Sequence, residues 1–219
     1  MTRNLQARKK PAQSGKTRSV VVFLHGYGAD GADLLGLADV MASHLPDTTF
    51  YAPDAPDRCA GNPFGYQWFP IPRFDGTSEA DAAVAMDAAA ADLDAWLDVV
   101  LQAEEIEASS LALVGFSQGT MMSLHVAPRR PEALAGVVAF SGRLLRADRL
   151  MSEVVSRPPI MLIHGDEDEV VPFDDMRAAA EALIEAGFET YGHVMKGTGH
   201  GIAEDGLGVA LNFLKDRLG

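Results

Sequence analysis

The sequence predicts an α/β fold in which a mostly parallel sheet carries helices on both faces. From Ser19 onward, short apolar runs alternate with helix-type patterns, which is typical of a parallel sheet covered on both sides. The alternation continues without repeats or a low-complexity linker. The 219 residues suit one domain with a large core and are too few for two ordinary domains.

The first elements can be placed in order along the chain. Residues 19–24 are apolar after the initial serine and predict a fully buried strand. Apolar residues at helical spacing predict a helix over residues 31–44. A short strand at 49–52 is stopped by Pro53. The stretch 57–77 contains several prolines and glycines, so we expect a long loop there.

The second half of the chain continues the alternation. Ser78 is suited to cap a helix over residues 79–105, whose apolar side chains recur at i, i+3, i+4 and i+7. An apolar strand then runs into residues 115–119, and the helix that follows ends near Pro128. The remaining predictions are strands at 134–140, 160–163 and 189–195, an irregular stretch at 143–159, and helices at 173–186 and 204–218.

The charge is unevenly distributed along the chain. The first eighteen residues hold six basic side chains and no acidic one, whereas the rest carries 12 basic against 31 acidic side chains, a net charge of −19. A body this acidic repels nucleic acid and anionic membrane surfaces, so neither is expected as a main partner. We expect residues 1–18 to form a flexible, solvated arm and residues 19–219 to form a single folded domain.

Composition also indicates the compartment. Cys59 is the single cysteine, which excludes an intramolecular disulfide and fits a reducing environment. No apolar run has the length of a membrane span, and the one at 20–24 is too short for a signal-peptide core. The sequence therefore predicts a cytoplasmic protein without stable membrane insertion. It shows no recognisable metal-ligand spacing, so neither a metal nor another cofactor is expected.

A Gly-x-Ser-x-Gly centred on Ser117 lies between an apolar strand and a helix-compatible segment. In this context the pattern is typical of a nucleophile elbow, a sharp turn that exposes the serine hydroxyl. Side chains at Gly115 or Gly119 would collide across so tight a turn, and the serine must accept an unfavourable backbone conformation. The pattern alone also occurs in ordinary turns, so the hypothesis depends on the neighbouring elements.

Two further strand ends carry side chains suited to activating Ser117. Ligand chemistry collects at the carboxyl ends of strands in open parallel sheets. The acidic run 166–169 follows one predicted strand, and His200 stands between two glycines after the last strand. Serine, acid and histidine in this order match a serine hydrolase triad, in which the imidazole takes the serine proton and a carboxylate orients the imidazole.

The choice of histidine follows from chain order, but the choice of acid does not. The remaining histidines lie inside predicted helices or strands, or at strand ends suited to stabilising a turn; they are His25, His44, His125, His164 and His193. The four consecutive carboxylates at 166–169 are also compatible with a solvated loop. We therefore assign His200 as the base, and the residues alone leave the acid open.

The loop at 57–77 holds a large share of the aromatic residues. A disordered segment would be poor in aromatic residues, so we expect this loop to be ordered and to pack against the folded domain. One interpretation is a satellite hydrophobic cluster beneath the loop, and the other is one wall of an apolar substrate pocket. The second interpretation places residues of this loop and apolar residues of later loops around the substrate. The expected pocket residues are Phe64, Trp68, Phe69, Leu144, Leu145 and Val171.

Four segments carry a resemblance to a known family. They are HGYGADG at 25–31, GFSQG at 115–119, HGDEDEVVP at 164–172 and GHG at 199–201. In order and spacing, over roughly residues 19–218, they resemble the carboxylesterase, lysophospholipase and acyl-protein thioesterase family of small α/β-hydrolases. The resemblance implies a three-layer α/β-hydrolase fold, and it makes a homodimer plausible. In a chain this short we expect no separate lid domain.

The resemblance also implies roles for individual residues. The triad acid would be Asp168, and Asp166 would be a turn or hydrogen-bonding residue. The oxyanion hole would be formed by the backbone N–H groups of Tyr27 and Gln118. Gln118 follows the nucleophile at a helix N-terminus, which suits that role. The family often has leucine where this chain has Tyr27, so the local shape of the pocket is expected to differ.

These observations predict a serine carboxylic-ester hydrolase. It would act on small to medium-chain esters through an acyl-enzyme formed on Ser117. Thioester cleavage on acylated proteins and lysophospholipid hydrolysis use the same triad and stay open as alternatives. A non-catalytic binding protein on the same scaffold is the alternative from another class, although such a protein would normally have lost a triad member.

Overall fold

A computed structural model describes residues 2–219. In that range the strands are β1 Ala7–Lys10, β2 Ser19–Leu24, β3 Thr48–Pro53, β4 Asp57–Arg58, β5 Tyr66–Gln67, β6 Leu111–Phe116, β7 Gly136–Phe140, β8 Ile160–Gly165 and β9 Thr190–Met195. Seven of them form one sheet in the order β1-β3-β2-β6-β7-β8-β9, and β4 and β5 form a small hairpin. Every neighbouring pair in the large sheet is parallel except β1 and β3, which confirms the predicted mostly parallel sheet.

Helices cover both faces of this sheet. They are α1 Gly31–Leu35, α2 Leu37–Met41, α3 Pro72–Asp75, α4 Glu79–Glu104, α5 Gln118–Val126, α6 Ala147–Glu153, α7 Asp174–Glu185 and α8 Glu204–Leu218. One core cluster joins α4, α5 and α7 to the sheet through residues such as Leu93 and Leu183. A second cluster joins α1, α2 and α8 to the other face through residues such as Met41 and Phe213. The predicted three-layer α/β architecture is therefore confirmed.

The prediction of a flexible basic arm is wrong for its central part. Residues Ala7–Lys10 form the antiparallel edge strand β1, in which Ala7 pairs with Pro53. Leu5 is buried just before it. The side chains of this edge strand are mostly exposed, so they can be charged. Charged side chains also protect the free edge of the sheet from further pairing. The absence of apolar alternation therefore concealed this strand in the sequence.

Basic side chains of residues 1–18 also form ion pairs with acidic side chains in the rest of the chain. Arg3 donates to Asp92 at 2.6 Å, Arg8 to Asp54 at 2.7 Å, and Lys9 to Glu104 at 2.5 Å. Asp92 and Glu104 are largely buried side chains, so their charges require compensation. The charge asymmetry of the sequence is thus partly neutralised within the molecule.

Two predicted segments are more finely divided than the pattern indicated. The helix expected over 31–44 is split at Gly36 into α1 and α2, and the Asp30 carboxylate caps the first of them. The loop at 57–77 contains β4, β5 and the short helix α3.

Within the described residues, none of the helices is both long enough and apolar enough to cross a membrane.

Candidate active site

Ser117 occupies a strained turn between β6 and α5. Its backbone lies at φ 54°, ψ −113°, a conformation that non-glycine residues rarely adopt. A side chain at Gly119 would overlap the carbonyl oxygen of Leu24, and one at Gly115 would lie 2.5 Å from the amide nitrogen of Thr120. Both glycines are therefore required for close approach of backbone to backbone, as predicted for an elbow.

Asp168 and His200 meet at the same edge of the sheet. His200 Nδ1 lies 2.7 Å from Asp168 Oδ2. The other oxygen, Oδ1, accepts the backbone N–H groups of Val170 and Val171, each at 2.9 Å. The Asp168 side chain is fully buried, and His164 Nε2 is a further neighbour at 3.3 Å from Oδ2. The carboxylate is therefore held by groups from three directions.

These contacts keep the Asp168 carboxylate ionised. Burial acts to raise the pKa of this carboxyl, but the hydrogen bonds from His200, Val171 and Val170 outweigh burial and leave the pKa below its ordinary value. An ionised carboxylate can only accept hydrogen bonds. It therefore assigns the proton to His200 Nδ1 and leaves Nε2 free to accept a proton.

Asp166, the other aspartate of the His-Gly-Asp-x-Asp segment, has a separate position. Its Oδ1 accepts the backbone N–H of Gly197 at 2.7 Å on the surface. This hydrogen bond stabilises a turn, which is the role expected for Asp166.

Among residues 2–219, no group of three or more histidine, cysteine, aspartate or glutamate side chains is arranged to hold a metal ion.

Ser117 and His200 open into one cavity of about 1000 Å³. The His200 ring lies 4.9 Å from the ring of Phe116, measured between centroids, which places the imidazole beside the residue that precedes the serine. Tyr27 and Gln118 also line this cavity. Within the described residues, neither of their backbone N–H groups donates to a protein acceptor, so both donors are available to a bound molecule.

Three of the six predicted pocket residues line the cavity, namely Phe69, Leu145 and Val171. The other three do not, and the prediction is wrong for them. Phe64 is 85% exposed and lies outside the cavity, and Trp68 is fully buried in the core. Leu144 packs against the main core cluster. Adjacent residues in these irregular segments differ in whether they reach the cavity, and no sequence periodicity reveals this difference.

Trp68 instead connects the two segments that carry the free amides. Its indole N–H donates to the carbonyl of His25 at 3.0 Å, directly before the loop of Tyr27. Its backbone N–H donates to the side-chain oxygen of Gln118 at 2.8 Å, and the Gln118 amide group donates to the Phe69 carbonyl at 2.7 Å. We name these contacts the Trp68 bridge.

His25 holds the beginning of the same loop. Its Nδ1 lies 2.7 Å from the Gly26 carbonyl, and its Nε2 accepts the backbone N–H of Ala55 at 3.0 Å. Burial lowers the pKa of His25, which favours the neutral ring that both contacts require. Sequence reasoning predicted a turn-stabilising role for His25 but not the roles of the Gln118 and Trp68 side chains, which carry no signal in the motif itself.

The sheet order, the helices on both faces and the strand–turn–helix at Ser117 define an α/β-hydrolase. The chain belongs to the phospholipase/carboxylesterase family, whose model matches residues 10–218. This family membership confirms the resemblance that the four sequence segments indicated. The matched range begins at residue 10, the last residue of β1.

Individual relatives agree with this assignment. The crystal structure of esterase PE8 is 42% identical, with a TM-score of 0.91, and the match covers 98% of this chain and all of that one. Esterase YpfH of Escherichia coli strain K12 is 29% identical over 96% of this chain and 86% of its own length. Acyl-protein thioesterase 1 homolog 1 of Dictyostelium discoideum is 25% identical over 91% of each chain. Family and fold together make the chain a hydrolase that acts on esters.

Proposed function

We propose that this chain is a serine carboxylic-ester hydrolase that acts through Ser117, His200 and Asp168. The observation that carries the proposal is the 2.7 Å hydrogen bond between His200 Nδ1 and the buried Asp168 carboxylate, in a histidine that lines the same cavity as the strained Ser117. This arrangement presents an imidazole in the tautomer that a general base requires. It also gives the Ser117 hydroxyl, which borders the cavity, a nearby base that could take its proton.

The reaction would proceed in two steps. His200 Nε2 takes the Ser117 proton while the serine oxygen bonds to the substrate carbonyl carbon, and the resulting imidazolium gives that proton to the departing alcohol. This step leaves an acyl-enzyme on Ser117. Water then loses a proton to His200 and attacks the acyl carbon, the bond to Ser117 breaks, and the proton returns to the serine oxygen. Ester and water thus become acid and alcohol.

The backbone N–H groups of Tyr27 and Gln118 would stabilise the negative oxygen formed in each step. Among residues 2–219 neither amide has a protein acceptor, and both residues border the cavity beside Ser117. Gln118 is also the first residue of α5, where the helix dipole favours negative charge. Removal of one such donor typically lowers kcat by about 10²- to 10³-fold, so these groups account for a substantial part of the rate.

The size and lining of the cavity support small to medium-chain esters as the substrate class. A volume of about 1000 Å³ accommodates a small to medium acyl chain against Phe69, Leu145, Val171, Met86 and Met121. Acyl-protein thioesterase and lysophospholipase activity use the same triad and are the alternatives, the first favoured by the thioesterase relative. Comparing the hydrolysis rates of nitrophenyl esters and thioesters of increasing acyl length distinguishes carboxylesterase from thioesterase activity.

The cytoplasmic location and the homodimer stay predictions.

A fluorophosphonate probe tests the catalytic proposal against a non-catalytic binding protein. We expect the probe to form one covalent adduct on the wild-type chain, located at Ser117 by peptide mass spectrometry, because the probe reacts with an activated serine. Ser117→Ala should form none. An unlabelled wild-type chain, or an adduct that persists in Ser117→Ala, would contradict the proposal and favour a binding protein.

The Trp68 bridge should affect catalysis more than binding. Trp68→Phe keeps most of the buried volume but removes the indole N–H that holds the His25 carbonyl. The Tyr27 amide then loses part of its alignment, so we expect kcat to fall about tenfold, less than for outright loss of a donor, with KM changed less than twofold. Steady-state kinetics with p-nitrophenyl butyrate measure both constants.

Trp96→Phe is the matched control for this experiment. Trp96 is the second of two tryptophans, is also buried, and packs against Tyr51 away from the cavity. Both variants should lower the melting temperature, whereas only Trp68→Phe should lower kcat. Equal kcat values in the two variants would show that Trp68 contributes to stability alone.

A further inference from the structure

Two arginines at the cavity differ from all the others in the chain. The sequence contains thirteen arginines, and eleven of them make a hydrogen bond or an ion pair within the described residues. Arg73 and Arg143 make neither kind of contact in the part of the chain that the structure describes, and both line the cavity that contains Ser117. Acidic partners are abundant in a chain of net charge −13, so their absence at these two positions is informative.

The two side chains reach the cavity from different elements. Arg143 follows Gly142, where a Cβ atom would lie 2.9 Å from the carbonyl oxygen of Ser117, so its backbone adjoins the elbow. Arg73 belongs to α3, and its guanidinium lies 4.6 Å from the ring centroid of Phe74. The Phe74 ring in turn lies 5.8 Å from that of Tyr27. One arginine thus stands near the nucleophile and the other near the loop of the free amide.

The acidic side chains of the cavity wall have another explanation. Asp33, Glu79 and Asp175 line the cavity, and each lies in the first turn of a helix, α1, α4 or α7. A carboxylate there stabilises the positive end of the helix. None of the three is within ion-pair distance of Arg73 or Arg143 in the described residues, so they leave both guanidinium groups unpaired.

We propose that Arg73 and Arg143 form an anion subsite, and that the preferred substrates are esters carrying a negatively charged group away from the scissile bond. This inference rests on the proposed esterase function. A guanidinium group offers a planar pair of donors that matches the oxygens of a carboxylate or a phosphate. Binding such a group beside Ser117 would fix which carbonyl of the substrate reaches the nucleophile.

The test compares two chromogenic esters of equal acyl length, p-nitrophenyl pentanoate and the mono-p-nitrophenyl ester of glutaric acid. The measured quantity is the ratio of kcat/KM for the charged ester to that for the neutral ester. We expect Arg143→Gln and Arg73→Gln each to lower this ratio about fivefold, the effect of losing one exposed charge pair. Added salt should lower the wild-type ratio as well, because it screens exposed charges.

Arg18→Gln is the matched control. It removes the same charge from an exposed arginine that pairs with Asp47 at 3.3 Å and does not line the cavity. The ratio should stay at the wild-type value in this variant. An unchanged ratio in both cavity variants, or the same fall in Arg18→Gln, would overturn the anion subsite. Turnover that survives Ser117→Ala would instead overturn the proposed function.

Direct titration covers the case in which neither ester is hydrolysed. Glutarate and inorganic phosphate are titrated by calorimetry into the wild-type chain, Arg143→Gln and Arg18→Gln. Weaker binding in Arg143→Gln alone supports the subsite, and the tighter of the two ligands identifies the anion that it favours. Failure of both ligands to bind the wild-type chain would overturn the inference without bearing on the triad.

Discussion

Ser117→Ala should lower kcat for p-nitrophenyl butyrate by about 10⁴- to 10⁶-fold, the range found when a catalytic serine is removed. The variant lacks the oxygen that forms the acyl-enzyme, and only the oxyanion donors and binding would remain to accelerate attack by water. The hydroxyl caps no helix amide, and alanine at φ 54° carries about the same backbone strain as serine. We therefore expect the fold to be retained, as measured by circular dichroism and thermal unfolding.

A second serine of the same helix provides the control for this variant. Ser123 is buried on α5, and its hydroxyl donates to the carbonyl of Gly119 at 2.9 Å, away from the cavity. Ser123→Ala should stay within a few-fold of the wild-type kcat while losing some stability. If Ser117→Ala lost less than tenfold in kcat, an acyl-enzyme on this residue would be excluded.

Asp168→Asn should lower kcat by about 10⁴-fold through the tautomer of His200. The asparagine oxygen can still accept the Val170 and Val171 amides in place of Oδ1. Its NH₂ group would then face His200 Nδ1 in place of Oδ2. Nδ1 must become the acceptor, so the ring proton moves to Nε2, the atom that has to take the proton of Ser117.

Asp166→Asn is the control, because it makes the same chemical change two residues away. Asp166 accepts the Gly197 amide on the surface, and an asparagine oxygen can accept it equally well. We expect kcat near the wild-type value for Asp166→Asn and cooperative unfolding in both variants. Comparable kcat values for Asp168→Asn and Asp166→Asn would show that Asp168 does not orient the base.

The features that sequence predicted best are local and sterically defined. The turn around Ser117 could be recognised because Gly115 and Gly119 leave no room for any other residue. The order of serine, acid and histidine placed all three at one edge of a parallel sheet, where strand ends converge. The choice of Asp168 over Asp166 needed the family resemblance, because the hydrogen bonds that separate them come from distant or irregular segments.

The features that the sequence could not predict depend on side-chain packing that follows no regular spacing along the chain. Trp68 and Phe69 are adjacent, yet the first is buried in the core and the second faces the cavity. Leu144 and Leu145 are also adjacent and both partly buried, yet only Leu145 lines the cavity. The strand β1 was missed because its Arg and Lys side chains pair with acids far along the chain. Arg143 follows the end of β7 by three residues. The tendency of ligand chemistry to collect at the carboxyl ends of strands could therefore have indicated it.

The position of Trp68 has an optical consequence. The chain contains two tryptophans, so Trp96→Phe leaves Trp68 as the sole indole fluorophore. Its N–H is bonded to the carbonyl of His25, at the start of the loop that carries the Tyr27 amide. Indole emission responds to its hydrogen bonding and to access of water, so the intrinsic fluorescence of that variant would follow this loop in real time while a substrate or inhibitor binds, without an attached dye.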